Sequence, residues 1–247
     1  MSTNARYIIG LTGNIACGKS AVVQTLATAG VYTCDADAVT RLLQQPGQAV
    51  YDAIVAAFGN AIVAPDGTID RRALGAIVFA DPLLLKRLEQ LIHPAVRQHI
   101  LHWLETLPVG TTQTPTIAVI DAIKLIESGW PAHCDAVWVV TAPRAVQIAR
   151  LMQTRGLTEA DAVLRIDAQS AQADKVAHAD VVFDNTGTLA ELQQHVHDAL
   201  AAVRVHLAAQ SYPNTTGTTA CISRVFGPSS RPPTISRTPA RHRSSIV

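Results

Sequence analysis

Gly13-Asn14-Ile15-Ala16-Cys17-Gly18-Lys19-Ser20 lies between an apolar run, Tyr7-Ile8-Ile9-Gly10-Leu11, and a stretch with helical character, Ala21-Val22-Val23-Gln24-Thr25-Leu26-Ala27. Strand, glycine-bounded loop and helix in that order form a phosphate-binding loop. Gly13 and Gly18 let successive backbone N–H groups turn inward around a phosphate, Lys19 reaches the outer phosphates, and the Ser20 hydroxyl is a ligand for Mg²⁺. The positive end of the following helix dipole points at the same place. A glycine turn without a ligand is the competing reading, and the flanking strand and helix count against it.

Working outward, short β-rich runs alternate with helical stretches: Tyr7 to Leu11, Val31 to Cys34, Thr116 to Ile120, Ala136 to Val140 and Val181 to Phe183. Such alternation predicts an α/β fold, a parallel five-stranded sheet flanked by helices on both faces. Its core is expected over about 5–37, 108–142 and 175–206. Between the second and third runs, about 38–107, no convincing strand pair occurs. There Leu84, Leu88, Leu91, Ile92, Ala95 and Val96 recur at helical spacing, continued past Pro94 by Ile100, Trp103 and Leu104. This segment reads as a helical insert. A second insert, about 143–174, carries Arg144, Arg150, Arg155 and Arg165 and reads as a helical lid. One domain is thus expected over 1–210, followed by a tail, 211–247.

The tail holds five of the thirteen prolines, five arginines and no acid, with no apolar period, and is expected to be disordered. The remainder carries fifteen basic against nineteen acidic residues. A mildly acidic body argues against a general nucleic-acid binder and fits positive charge confined to a phosphate site. No apolar run approaches the roughly 18 residues of a membrane span, and no signal peptide is legible, so a cytoplasmic protein is expected. Cys17, Cys34, Cys134 and Cys221 lack metal-ligand spacing and are expected as reduced thiols. A monomer or small homo-oligomer is expected, with neither nucleic acid nor membrane as partner.

In an open parallel sheet, ligands bind outside the carboxyl ends of the strands. Four segments fall there: the phosphate loop, Asp35-Ala36-Asp37, Asp121, and Asp184-Asn185-Thr186-Gly187. Phosphoryl transfer needs aligned reactants, neutralised phosphate charge and an acceptor for the hydroxyl proton. Asp37 is the candidate proton acceptor. Alternation along an extended segment would put Asp35 on the same face as Asp37, leaving Asp35 open as a metal ligand or a helix cap. Asp121 is the candidate second Mg²⁺ ligand beside Ser20, with helix capping as its alternative. Arg150 and Arg155 are candidates to meet the transferring phosphoryl from the lid, and Cys17 reads as inert. The guanine-specificity tetrad Asn-Lys-x-Asp is absent. A sheet domain with an acceptor insert and a lid is the arrangement of small-molecule kinases.

A series of runs adds specificity: Ile9-Gly10-Leu11-Thr12-Gly13, Gly18-Lys19-Ser20, Asp35-Ala36-Asp37 with Arg41 four residues on, Phe58-Gly59, Asp66-Gly67, Asp70-Arg71, Val78-Phe79, Ile92-His93-Pro94 and Asp184-Asn185-Thr186-Gly187. In that order they resemble the dephospho-CoA kinase family, over about Tyr7 to Val203. The resemblance implies ATP-dependent phosphorylation of the ribose 3′-hydroxyl of dephospho-coenzyme A. It implies Asp37 as base, Lys19 and Ser20 on ATP and Mg²⁺, Arg150 as the lid arginine and Arg41 at the acceptor site. ATP contacts are expected at Gly13, Asn14, Ile15, Ala16, Cys17, Gly18, Lys19, Ser20, Arg155 and Asn185, and acceptor contacts at Asp37, Arg41 and His93.

Two segments depart from the family. Asn14 stands where a second glycine is usual, an exchange that tolerance of left-handed backbone angles would accommodate. Ile123-Lys124-Leu125 stands where Pro-Leu-Leu is usual, which relaxes a fixed turn and brings a charge to the acceptor side. Two other readings stay open: a kinase of another small hydroxylated acceptor such as a nucleoside or nucleotide, and a non-catalytic ATP-binding protein.

Overall fold

Five apolar runs become five strands of one parallel sheet in the computed structural model, which describes residues 6–111 and 115–210. The strands are β1 (Arg6–Gly13), β2 (Tyr32–Asp35), β3 (Thr116–Asp121), β4 (Ala136–Thr141) and β5 (Val181–Asp184), in the order β2-β3-β1-β4-β5. Every residue of β3 and β4 is buried, as expected of central strands covered on both faces. The first strand sits in the middle, paired with β3 from Arg6↔Thr116 to Leu11↔Asp121 and with β4 from Ile9↔Ala136 to Gly13↔Val140.

The period-two alternation of side chains divides the core between two faces. Ile9, Leu11, Ile117, Val119, Trp138 and Val140 pack with α1 (Lys19–Thr28) and α9 (Leu189–Gln210). Ala118, Ile120, Val137 and Val139 point the other way, into a cluster shared with α2 (Ala36–Leu43), α3 (Ala49–Phe58), α4 (Arg71–Ala80) and α5 (Pro82–Thr106). The stripe read across Pro94 is real: Ile92, Val96, Ile100 and Leu104 are the buried face of one 25-residue helix, α5. It starts at Pro82, where a missing N–H costs nothing, with Asp81 capping through the Leu83 N–H. The second helical stretch forms α6 (Arg144–Arg155), α7 (Glu159–Asp167) and α8 (Gln172–Val176), with a small core of Leu151, Ala162 and Ile166.

Among the described residues, no helix is long and apolar enough to cross a membrane. Cys17, Cys34 and Cys134 are free thiols. The tail from Ser211, with Cys221 and the five arginines, lies outside the described residues.

Candidate active site

The phosphate loop leaves the end of β1 at the sheet centre and enters α1 at Lys19. Glycine is required at both ends for steric reasons. A Cβ on Gly13 would come within 2.6 Å of the Val140 carbonyl oxygen, and Gly18, at φ +97°, would drive a Cβ to 2.0 Å from the Asn185 amide nitrogen. Between them the left-handed residue is Ala16, at φ +59°. The expectation attached to Asn14 is thereby corrected. Asn14 does not adopt a positive φ; it is buried, and its Nδ2 donates to the Ser170 carbonyl at 3.1 Å.

Four side chains from distant segments hold this loop. The Asn185 Nδ2 donates to the Cys17 carbonyl at 2.8 Å, and Arg150 donates to the carbonyls of Ala16 (3.2 Å) and Asn185 (3.1 Å). Gln147 donates to the Ile15 carbonyl at 2.8 Å, while the Ile15 N–H donates to Gln169 at 2.7 Å. Asn185 is buried, so it sits behind the loop and braces it. Cys17 is fully buried and its thiol is pushed up to about 11 by that burial, which keeps it a protonated packing group. Gln147 and Gln169 were not singled out in the sequence. Gln147 lies three residues before Arg150 and so shares its helix face, a signal that was available; nothing in the sequence alone marks Gln169.

Lys19 forms an ion pair with Asp121, the last residue of β3. Burial raises the Asp121 carboxyl above the ordinary carboxylate range against the pull of Lys19, with the negative charges of Asp35 and Asp37 acting in the same direction. These carboxylates therefore gather at one end of the sheet, and Asp35 faces Asp121 in the β2–β3 register. Asp35 and Asp37 do not share an extended face, because the chain turns helical at Ala36. Asp35 is the N-cap of α2, accepting from the Ala38 N–H at 2.9 Å, and Asp37 rides in the first helical turn.

Asp37 lines a cavity of about 220 Å³ together with Thr40 of α2, Glu89, His93 and Arg97 of α5, and Lys124 of the segment after β3. Lys124 has acquired a partner there, Glu89 at 3.4 Å. Arg41 is absent from that lining; its guanidinium donates to the Asp35 carboxylate at 3.4 Å, six residues back. The structure thus places Arg41 at the cap of α2, beside Asp35. A wider groove of about 590 Å³ crosses the outer face of α5 between His93 and Glu105. The smaller cavity is the acceptor candidate, because Asp37 opens into it and not into the groove. Arg155 ends α6 exposed, and its guanidinium makes no hydrogen bond or ion pair among the described residues. Ser20 is exposed in the first turn of α1.

The donor set suits a hard divalent cation in part. Ser20 and Asp121 offer oxygens, the type that Mg²⁺ selects, and Mg²⁺ completes its shell with water and substrate phosphates. Among the described residues, no three His, Cys, Asp or Glu side chains are grouped to hold a metal by themselves.

Comparison with known proteins gives the family and the fold. Residues 7–191 match the family described as Dephospho-CoA kinase. A dephospho-CoA kinase of Symbiobacterium thermophilum is 44% identical over 195 residues, spanning 79% of this chain and 80% of its own. One of Geobacter sulfurreducens is 43% identical over 194 residues, 78% of this chain and 97% of its own. Among solved structures, a Thermus thermophilus protein superimposes with a TM-score of 0.69 at 32% identity, covering 80% of this chain and 98% of that one. The dephospho-CoA kinase of Campylobacter jejuni gives 0.59 at 25%, covering 81% and 98%.

Proposed function

The chain belongs to the dephospho-CoA kinase family, and we infer that it carries the family's reaction in this crevice: transfer of the γ-phosphoryl group of ATP to the ribose 3′-hydroxyl of dephospho-coenzyme A, giving coenzyme A and ADP. The observation that carries the reading is the meeting of a braced phosphate loop and a cavity lined by Asp37 at the carboxyl end of the sheet. In the reaction Asp37 accepts the proton of the attacking 3′-hydroxyl, so that the new O–P bond forms as the bond to the ADP oxygen breaks. Lys19 leaves Asp121 for the phosphates, and its positive charge offsets the charge that develops on the transferred group. The backbone N–H groups of Gly18, Lys19 and Ser20 cradle the phosphates. Arg150, held at the loop by the Ala16 carbonyl, serves the same phosphates, and Arg155 joins from the end of α6. His93 and Arg97 line the acceptor side.

Mg²⁺ fits beside Ser20 and Asp121, where it would neutralise phosphate charge. Ser20 and Asp121 would hold the ion, and Lys19, now paired with Asp121, would be left to the phosphates.

ADP release is measured with ATP, Mg²⁺ and, in turn, dephospho-CoA, nucleosides and nucleoside monophosphates. Turnover should be highest with dephospho-CoA. A nucleoside preferred over it would move the protein to another acceptor class, and ATP binding without turnover on any acceptor would make it a nucleotide-binding protein only. Asp37→Asn should lower kcat by about 10² or more with ATP affinity nearly unchanged, the usual scale for loss of a general base. Lost nucleotide affinity in that variant would instead assign Asp37 to the metal.

A further inference from the structure

Lys175 is among the most deeply buried side chains of the described fold, 2% exposed, and it is a cation with no place in the phosphoryl transfer. Burying an ammonium is costly unless its geometry and hydrogen bonding are good, and an apolar side chain of similar volume would pack there at no such cost. Its Nζ donates to the Ile123 carbonyl at 2.6 Å and to Glu127 at 3.2 Å. Both acceptors belong to the segment after β3, the one that departs from the family pattern and presents Ala122 and Lys124 to the acceptor cavity.

Each acceptor also reaches the phosphate loop by a second route. The Ile123 carbonyl receives the Thr12 hydroxyl at 3.0 Å, one residue before Gly13. Glu127 accepts from the Ser170 hydroxyl at 2.6 Å, and the Ser170 carbonyl in turn takes the Asn14 amide. Gln169, next in the chain, holds the Ile15 N–H. A closed circuit therefore joins the phosphate loop, the 122–127 segment and the connector between α7 and α8, and Lys175 is its buried cation.

We propose that Lys175, acting with Glu127, is a positioning residue that fixes the acceptor-side segment 122–127 in register with the phosphate loop through the α7–α8 connector. It touches neither substrate; it sets the separation of the two walls between which the phosphoryl group passes. In a chain without the proline usual at position 123, this latch supplies the rigidity that a fixed φ would give. The proposal rests on the kinase reading above, yet its first test does not need turnover.

Amide hydrogen exchange is followed in the full-length chain and in Lys175→Met, without ligand. Protection should fall about tenfold or more in both 12–20 and 122–128, while the central strand β4 keeps its rates. Loss confined to the neighbourhood of α8, or spread evenly over the sheet, overturns the proposal. Kinetics follow well below the melting temperature: kcat should drop at least tenfold and the dephospho-CoA KM rise, with ATP affinity changed less than threefold. Unchanged kcat and KM in a merely less stable protein would reduce Lys175 to a core residue. Where Lys175→Met does not fold, Glu127→Gln, which keeps an oxygen for Ser170 and Lys175, should give the same exchange pattern at smaller size, and its absence overturns the proposal equally. Wild-type inactivity toward dephospho-CoA would instead strike the kinase reading and leave the exchange result to decide the latch.

Discussion

At the scale of single residues, Ala16 is the position where the loop is under strain. A left-handed conformation costs an L-residue roughly 1–2 kcal/mol, and Ala16 bears it while packed against the small core of Leu151, Ala162 and Ile166. Removing the methyl relieves the strain but loosens the unfolded chain and forfeits contact, so Ala16→Gly should be neutral to slightly stabilising. A β-branched side chain cannot adopt the angle without distortion, and Ala16→Val should cost about 1–3 kcal/mol in a urea melt. A Val variant as stable as wild type would mean that the loop reaches α1 by another backbone path. Comparison of residue types points to Asn14 as the left-handed position; the backbone places it two residues later, at Ala16. Asn14 was free to serve otherwise, and its amide went to Ser170, 156 residues away.

At the scale of elements, α2 shows how one cap positions the candidate base. Asp35 ends β2 and starts α2, so the first turn that carries Asp37 is fixed by one side-chain hydrogen bond. Asp35→Ala should cost about 1 kcal/mol of stability and lower kcat, whereas Asp35→Asn, which retains a cap oxygen, should lose far less of either. Equal kcat losses in the two would point to the charge of Asp35, and not the cap, as what matters. The contacts of Glu127 with Ser170 of the α7–α8 connector and with Lys175 add a pH dependence. Burial works to raise the Glu127 carboxyl, but the Ser170 hydroxyl, backbone donation and Lys175 together hold it below its ordinary value of 4.5. A carboxyl whose folded value is depressed contributes stability above the unfolded value and loses it as pH falls through the folded one. Wild type should therefore exceed Glu127→Gln in melting temperature at pH 7, with the gap closing below about pH 4.5. A gap that stays constant through that range would mean Glu127 acts through packing alone.

At the scale of the whole molecule, the five strands and the buried face of α5 were legible, because a sheet covered on both faces writes its strands as uninterrupted apolar runs and α5 writes its buried face at helical spacing; the strand order, which depends on pairings between distant segments, was not. The bracing of the site was not legible, since Asn185 reaches Cys17 across 168 residues and Gln169 reaches Ile15 across 154, separations at which no local period carries information. The same long-range bracing makes the phosphate loop a hub: β1, α6, the α7–α8 connector and the end of β5 all hold it. A nucleotide seated there stabilises the folded state as a whole, by about 2.7 kcal/mol at a concentration near 100 times its Kd. For a chain of this size that corresponds to a rise in Tm of roughly 5–10 °C. ADP with Mg²⁺ should produce it in wild type as one shifted transition. In Lys19→Ala the shift should shrink by most of its size. An equal shift in that variant would show that the nucleotide is held somewhere other than the loop between Gly13 and Ser20.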